Sequence, residues 1–221
     1  MDKYKIILFD LDGTLSDPKI GITKSVQYAL EKLGIIETNL DKLECFIGPP
    51  LQVSFAEYYR LNEETALKAI DFYRERFKQK GMFENVLYHN IPTLLKSLKE
   101  QEYTLIVATS KPTVFSEQIL HYFNIDQYFD YIVGSNLDGT RSSKTEIIQY
   151  IIDKYKEFSL DNFIMVGDRK HDIIGANNVG IDSIGVTYGY GSSEELSQSH
   201  PTFIVHRVDE IKDIVMANKV K

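Results

Sequence analysis

Apolar positions along this chain follow two periods, and the way those periods alternate predicts its architecture. Lys5 leads into a short unbroken apolar run, Ile6-Ile7-Leu8-Phe9. It has the length of one buried strand and the composition of a parallel-sheet strand. The run breaks directly into Asp10-Leu11-Asp12-Gly13-Thr14, and from there to about residue 85 the pattern is helical. Ile22, Val26, Ala29, Leu30 and Leu33 share one helix face, and Gly34 is placed to end that helix. Ile47-Gly48-Pro49-Pro50-Leu51 breaks the chain. Two further helices are expected near 51–60 and 63–80, with Gly81 closing the second.

From Ile91 onward helix and strand alternate. Ile91, Leu94, Leu95 and Leu98 mark a helix, and Tyr103 to Ala108 is a buried strand that ends in Thr109-Ser110-Lys111-Pro112. A helix near 113–123, a strand over Tyr131–Gly134, a loop from Ser135 to Ser143 and a helix from Lys144 follow. Asn162–Val166 is the next strand, with Gly167-Asp168-Arg169-Lys170-His171-Asp172 at its end. Ser183–Thr187 and Phe203–Val205 read as the last strands, before a closing helix. The expected fold class is α/β, a Rossmann-like parallel sheet with right-handed crossovers. Residues 1–15 and 86–221 form the core, and 16–85 form a small all-helical unit inserted after the first strand.

Composition narrows the field. A 221-residue chain that is 43% hydrophobic supports a substantial buried core. A net charge of −7 counts against a nucleic-acid polymer or an anionic membrane as partner. The single cysteine, Cys45, permits no intrachain disulfide and fits a reducing compartment. No stretch approaches the length of a membrane span, and the N-terminal apolar run is too short for a signal peptide. The five histidines lack zinc-type spacing. A cytoplasmic location is therefore expected, and oligomeric state is not readable.

Three polar clusters sit just past three apolar strands: Asp10 with Asp12, Thr109 with Ser110, and Asp168 with Asp172. In a parallel sheet all three share one edge, the edge where ligands bind. Lys144 joins them. Ser143 and Glu146 form the pattern of a capping box, which makes Lys144 the first helical residue. The helix dipole disfavours a cation there, which suggests a use. Several carboxylates converging in a partly buried pocket need a counter-charge. With oxygen ligands and no histidine, the hard cation Mg²⁺ is the expected cofactor. A hydroxyl, backbone N–H groups and a lysine opposite the metal would receive a phosphoryl group. An aspartate held in line can attack phosphorus, leaving a second carboxylate for acid–base work.

Asp10-Leu11-Asp12-Gly13-Thr14, Thr109, Lys144 and Gly167-Asp168-x-x-x-Asp172 resemble, in order and context, the four motifs of the haloacid dehalogenase-like hydrolase superfamily. The helical insert is similar to the cap of its phosphoglycolate phosphatase-like branch. Ile47–Leu51, Asp138-Gly139-Thr140-Arg141-Ser142 and Tyr188-Gly189-Tyr190-Gly191-Ser192 look most like bacterial 5′-nucleotidase-type members. The resemblance implies Asp10 as nucleophile and Mg²⁺ ligand. It implies Asp12 as general acid/base, ligating through its backbone carbonyl. Thr109, Ser110 and Lys144 would bind the phosphoryl group, and Asp168 and Asp172 would complete the metal site. The cap would close over a small phosphorylated metabolite and help set specificity. Two positions depart from the pattern: Tyr88-His89-Asn90 stands where many relatives have Tyr-Pro-Gly, and Asp17-Pro18 follows the first motif.

The expected activity is a Mg²⁺-dependent phosphatase for a nucleoside monophosphate first and phosphoglycolate second. A phosphomutase of the same fold would share all four motifs. A receiver-type phospho-acceptor domain would use Asp, Thr, Lys and Mg²⁺ without turnover, but the helical insert and the Gly167-Asp168 motif count against it. Of the remaining residues, Gly189 and Gly191 read as turn glycines, and Arg169, Lys170 and His171 as a solvated helix start. Arg74 and Arg76 read as a solvated helix face, and Arg141 as a polar contact near the site.

Overall fold

The computed structural model describes residues 3–217. The chain divides into two compact units, one of Met1–Ser16 with Leu87–Lys221 and one of Asp17–Val86. In chain order the elements begin with β1 (Ile6–Phe9), β2 (Ser16–Asp17), α1 (Lys19–Lys32), α2 (Leu51–Tyr59), α3 (Glu63–Gln79) and β3 (Val86–Leu87). They continue with α4 (Ile91–Glu100), β4 (Thr104–Pro112), α5 (Thr113–Tyr122), β5 (Tyr131–Ser135) and α6 (Lys144–Lys154). The last are β6 (Phe163–Gly167), α7 (Lys170–Val179), β7 (Asp182–Val186), α8 (Ser193–Gln198), β8 (Phe203–Val205) and α9 (Val208–Ala217).

The first unit is built on a six-stranded parallel sheet of order β5-β4-β1-β6-β7-β8. Every residue of β1 and β6 is buried, which is why both read as unbroken apolar runs. Ile147, Ile148 and Ile151 of α6 and Ala176 of α7 pack on Ile6, Leu8, Ile106 and Met165. Each such fully buried aliphatic side chain contributes about 1.5–3 kcal/mol. The chain leaves β1 for β4 and β5 on one side, then returns to β6, β7 and β8 on the other. The reversal places the switch point at β1, where an open α/β sheet leaves a crevice beyond its strand ends.

The second unit holds α1, α2 and α3. The α1 helix ends as its glycine predicts: Gly34 is left-handed (φ +78°), its N–H donates to the Glu31 carbonyl and that of Ile35 to the Leu30 carbonyl, a Schellman closure. Gly81 does otherwise. Its φ is not positive, and a Cβ there would lie 2.6 Å from Ser25 Oγ, so it is glycine because α1 passes close by. Arg76, expected to be solvated, forms a two-pronged pair with Glu84 (2.8 and 3.1 Å) and is 16% exposed. Phe46 and Phe55 meet edge to face at 4.9 Å in this unit's core.

The chain crosses between units through β2 and β3, which pair with each other. Just beyond, Asn90 caps α4 in the left-handed region (φ +70°). Asparagine tolerates that conformation better than other non-glycine residues, which suits Asn90 to the turn that enters α4. Periodicity did not reveal the short helix α8, the 3₁₀ turn over Leu40–Phe46, or β2 and β3. Each is too short to carry a repeat.

Candidate active site

β4, β1 and β6 lie side by side and end together, so the three polar clusters meet at one edge. Asp10 follows β1 directly, and its N–H donates to the Val166 carbonyl at 2.9 Å. Asp168 follows β6, and Asp172 lies in the first turn of α7. One carboxylate oxygen from each of Asp10, Asp168 and Asp172 lies within 4.8 Å of the others, and all three residues are buried. Lys144, first residue of α6 behind a formed Ser143–Glu146 capping box, reaches them. Its Nζ lies 2.7 Å from Asp10 Oδ1 and 2.7 Å from Asp172 Oδ1, and donates to the Ala108 carbonyl at 2.8 Å. Gly175 of α7 lets the helix approach: a Cβ there would lie 2.6 Å from Lys144 Cβ.

Burial in a cluster of like charges sets the electrostatics. Asp168 is pushed well above the usual carboxylate range, first by burial and then by Asp172 and Asp10. Burial likewise lifts Asp172 to about 6, against the pull of Lys144. Asp12 is raised by burial against the opposing Lys111 ammonium. Burial pulls Lys144 down, but Asp10 and Asp172 outweigh it and hold the ammonium above the ordinary lysine range. One lysine between three buried carboxylates leaves negative charge uncompensated, the condition a hard cation satisfies.

Thr109 is buried at the end of β4, and its Oγ1 accepts from the Lys111 N–H at 3.3 Å. Ser110 is held by its carbonyl, which accepts from Ser135 Oγ at 2.8 Å. The structure adds groups to which periodicity and motif assigned no role. Lys111 Nζ lies 2.7 Å from Asp12 Oδ2. The Tyr190 N–H donates to Asp168 Oδ2 at 2.7 Å, and Thr14 Oγ1 lies 3.5 Å from Asp168 Oδ1. Neither Gly189 nor Gly191 has positive φ, so the bend they lie in does not by itself require glycine. A Cβ at Gly189 would lie 2.4 Å from Asp168 Cβ, and one at Gly191 would lie 1.9 Å from the Asp168 carbonyl oxygen. Gly167 stands in the same relation to Asp172, at 2.2 Å from Cγ. Gly189 and Gly167 leave space for two carboxylates, and Gly191 leaves space for the Asp168 backbone.

Arg169 is not a solvated helix start. Its Nε donates to Glu195 Oε1 at 2.9 Å, and the same oxygen accepts the Lys170 N–H. The pair ties α8 to the start of α7, between Asp168 and Asp172. Arg141 donates to the Gly134 carbonyl at 3.0 Å and lies over the Tyr150 ring, bracing its own loop. Among the described residues no helix is long and apolar enough to cross a membrane.

The family model of haloacid dehalogenase-like hydrolases matches residues 7–186. A 5′-nucleotidase from Pseudomonas aeruginosa is 48% identical over 90% of this chain and 90% of its own length. The tyrosine-protein kinase PtkA of Mycobacterium tuberculosis is 33% identical over 95% of this chain and 72% of its own. A phosphoglycolate phosphatase from Vibrio parahaemolyticus is 28% identical over 96% of each. The crystal structure of a predicted phosphatase from Clostridium acetobutylicum superposes with a TM-score of 0.94 at 52% identity, covering 97% of this chain and 99% of that one. With this match spanning all four motifs, the chain belongs to the haloacid dehalogenase-like hydrolases, in their phosphoglycolate phosphatase-like branch, and is a phosphoric monoester hydrolase.

Proposed function

We propose that this chain is a Mg²⁺-dependent phosphatase that hydrolyses a nucleoside monophosphate, with phosphoglycolate as the second substrate class, through an aspartyl phosphate (an acyl phosphate) on Asp10. The observation that carries the reading is the buried triad of Asp10, Asp168 and Asp172 around Lys144. Three desolvated carboxylates with oxygen-only donors fit Mg²⁺, held by Asp10, Asp168 and Asp172 with the Asp12 carbonyl. When bound, the ion supplies positive charge against these carboxylates and the phosphoryl oxygens.

The residues divide the remaining work. Asp10 attacks phosphorus, and the ester P–O bond breaks with its electron pair leaving on oxygen. Asp12 delivers a proton to that oxygen. Lys144, the Thr109 hydroxyl and the Ser110 N–H bind and orient the phosphoryl group. Water then attacks the phosphorus carried by Asp10 while Asp12 takes its proton; the Asp10 O–P bond breaks with its electron pair returning to the carboxylate, and inorganic phosphate leaves. The helical unit of Asp17–Val86 serves as the cap that excludes water during transfer and helps set specificity. The order of substrates follows the relatives: the nucleotidase is 48% identical and the phosphoglycolate phosphatase 28%. A small phosphorylated metabolite in the cytoplasm is the natural setting.

The test is phosphate release from nucleotides, phosphoglycolate, sugar phosphates and an aryl phosphate, with Mg²⁺ and with chelator. Chelator-sensitive release, fastest from nucleoside monophosphates, is expected, and Asp10→Asn abolishes it while the circular dichroism spectrum is unchanged. A fully active Asp10→Asn variant overturns the nucleophile. Isomerisation of a sugar phosphate without net release makes the chain a mutase instead.

A further inference from the structure

One ion pair at the site joins a motif residue to a lysine outside the four motifs. Lys111 Nζ is 2.7 Å from Asp12 Oδ2, with the two side chains 6% and 10% exposed. We propose that Lys111 is a positioning residue that holds one oxygen of Asp12 so that the other faces the leaving group. This rests on the phosphatase reading above and extends it to how Asp12 is aimed.

Three independent features place Lys111 there. β4 and β5 pair in register up to Ala108 opposite Val133, then resume only at Pro112 opposite Ser135, so β4 carries extra residues across Thr109–Lys111. An irregularity of this kind re-aims side chains at a strand end. Gly134 makes room for it, because a Cβ there would lie 2.1 Å from the Lys111 carbonyl oxygen. Ser135 Oγ and the Thr109 hydroxyl then fasten its backbone, at the Ser110 carbonyl (2.8 Å) and the Lys111 N–H (3.3 Å). A lysine at the end of a regular strand would follow the alternation of the pleat instead.

The two oxygens of Asp12 are unlike. Oδ2 faces the Lys111 ammonium, whereas Oδ1 is buried and has no hydrogen-bond partner among the described residues. A carboxylate with one oxygen fastened by a charge-assisted contact cannot turn freely about its last torsion. Oδ1 is thereby the atom that carries the proton to the leaving oxygen and takes one from water. Without Lys111 the carboxylate rotates, and proton delivery loses its geometry while the attack of Asp10 is untouched. The loss must therefore grow with the basicity of the leaving group. An acidic phenol departs without a proton, whereas an alcohol does not.

The experiment measures kcat/KM for phosphate release from esters of graded leaving-group pKa, from acidic phenols to a simple alcohol, in wild type and Lys111→Met. General acid–base catalysis contributes about 10²–10⁴-fold in all. Lys111→Met is expected to lose about 10–100-fold on the alkyl ester and less than about 3-fold on the most acidic phenol ester, steepening the slope against pKa. In an Asp12→Asn background the same change is expected to cost less than about twofold, because the group it aims is gone. An equal loss across the series, chiefly in KM, overturns the inference and makes Lys111 a substrate ligand. An equal loss in kcat makes it structural. Lys111→Gln gives the same test should the Met variant not fold, and a wild-type slope in it overturns the inference. A wild type that releases no phosphate from any ester refutes the phosphatase reading itself.

Discussion

At the scale of single residues, the site is governed by the cost of burying like charges. Asp12, Asp168 and Asp172 all titrate above the usual carboxylate range because burial penalises their ionised forms, and Asp172 reaches about 6. A carboxyl whose pKa is higher folded than unfolded binds its proton more tightly in the folded state. Its contribution is full below the unfolded value, 3.8, and is lost as pH rises through the folded one. In chelator the thermal midpoint is therefore expected to rise as pH falls from about 7.5 towards about 5. His171, held below its ordinary range mainly by burial, acts in the opposite direction over part of that interval. Comparing melts of wild type and Asp172→Asn isolates the carboxylate. The variant should melt higher than wild type at neutral pH and show a smaller rise on acidification. A wild-type midpoint that is flat or falls, with no difference in the variant, contradicts this account.

At the scale of elements, short loops bring the charged groups together and glycines make room for them. The stretch from Tyr188 to Ser192 approaches Asp168 so closely that no side chain fits at Gly189 or Gly191, and the Tyr190 N–H reaches the carboxylate only because of it. Gly189→Ala is expected to lose about 1–3 kcal/mol of stability from overpacking, read by urea denaturation, and to weaken Mg²⁺ binding. A variant of wild-type stability and metal affinity would show that the loop yields without moving Asp168. Sequence marked Tyr188–Ser192 only by resemblance, because a glycine kept for close approach looks the same as one kept for a turn. The same ambiguity hid the reason for Gly81. By contrast, Gly34 and the Ser143–Glu146 box depend on neighbours along the chain, and both were legible before any tertiary contact was known.

At the scale of the whole molecule, the sheet order is what makes a site out of separate segments. β1 sits between β4 and β6, so residues at 10–12, 109–111 and 168–172 end on one edge although they lie far apart in sequence. Lys144 comes from a fourth segment and binds two of the others. An ion that binds the folded cluster and not the open chain stabilises the fold by mass action. The gain is about 2.7 kcal/mol at a free concentration one hundred times Kd. Mg²⁺ is therefore expected to raise the thermal midpoint at neutral pH, and Asp168→Asn to abolish that rise without lowering the midpoint in chelator. An equal rise in the variant would move the metal away from the triad.

Two properties of this protein were settled by local order alone. The apolar runs dictate which segments become buried strands, because a fully covered parallel strand tolerates few polar residues. The positions of Asp10, Asp12, Thr109, Lys144, Asp168 and Asp172 follow, since each stands in the last residues of a strand, just past one, or at the start of a helix; β4 itself runs on to Pro112, beyond the Ala108 where its apolar run stops. Only the tertiary structure decided how those groups are held. The Lys111–Asp12 pair depends on an irregularity between β4 and β5, and the Arg169–Glu195 tie depends on where α8 packs. The glycine spaces around the Asp168 carboxylate, at Gly13 and Gly189, depend on distant segments. Periodicity reports what a residue's own element requires. A close approach or an ion pair between distant segments leaves no period in either one, so it becomes visible only when the chain is folded.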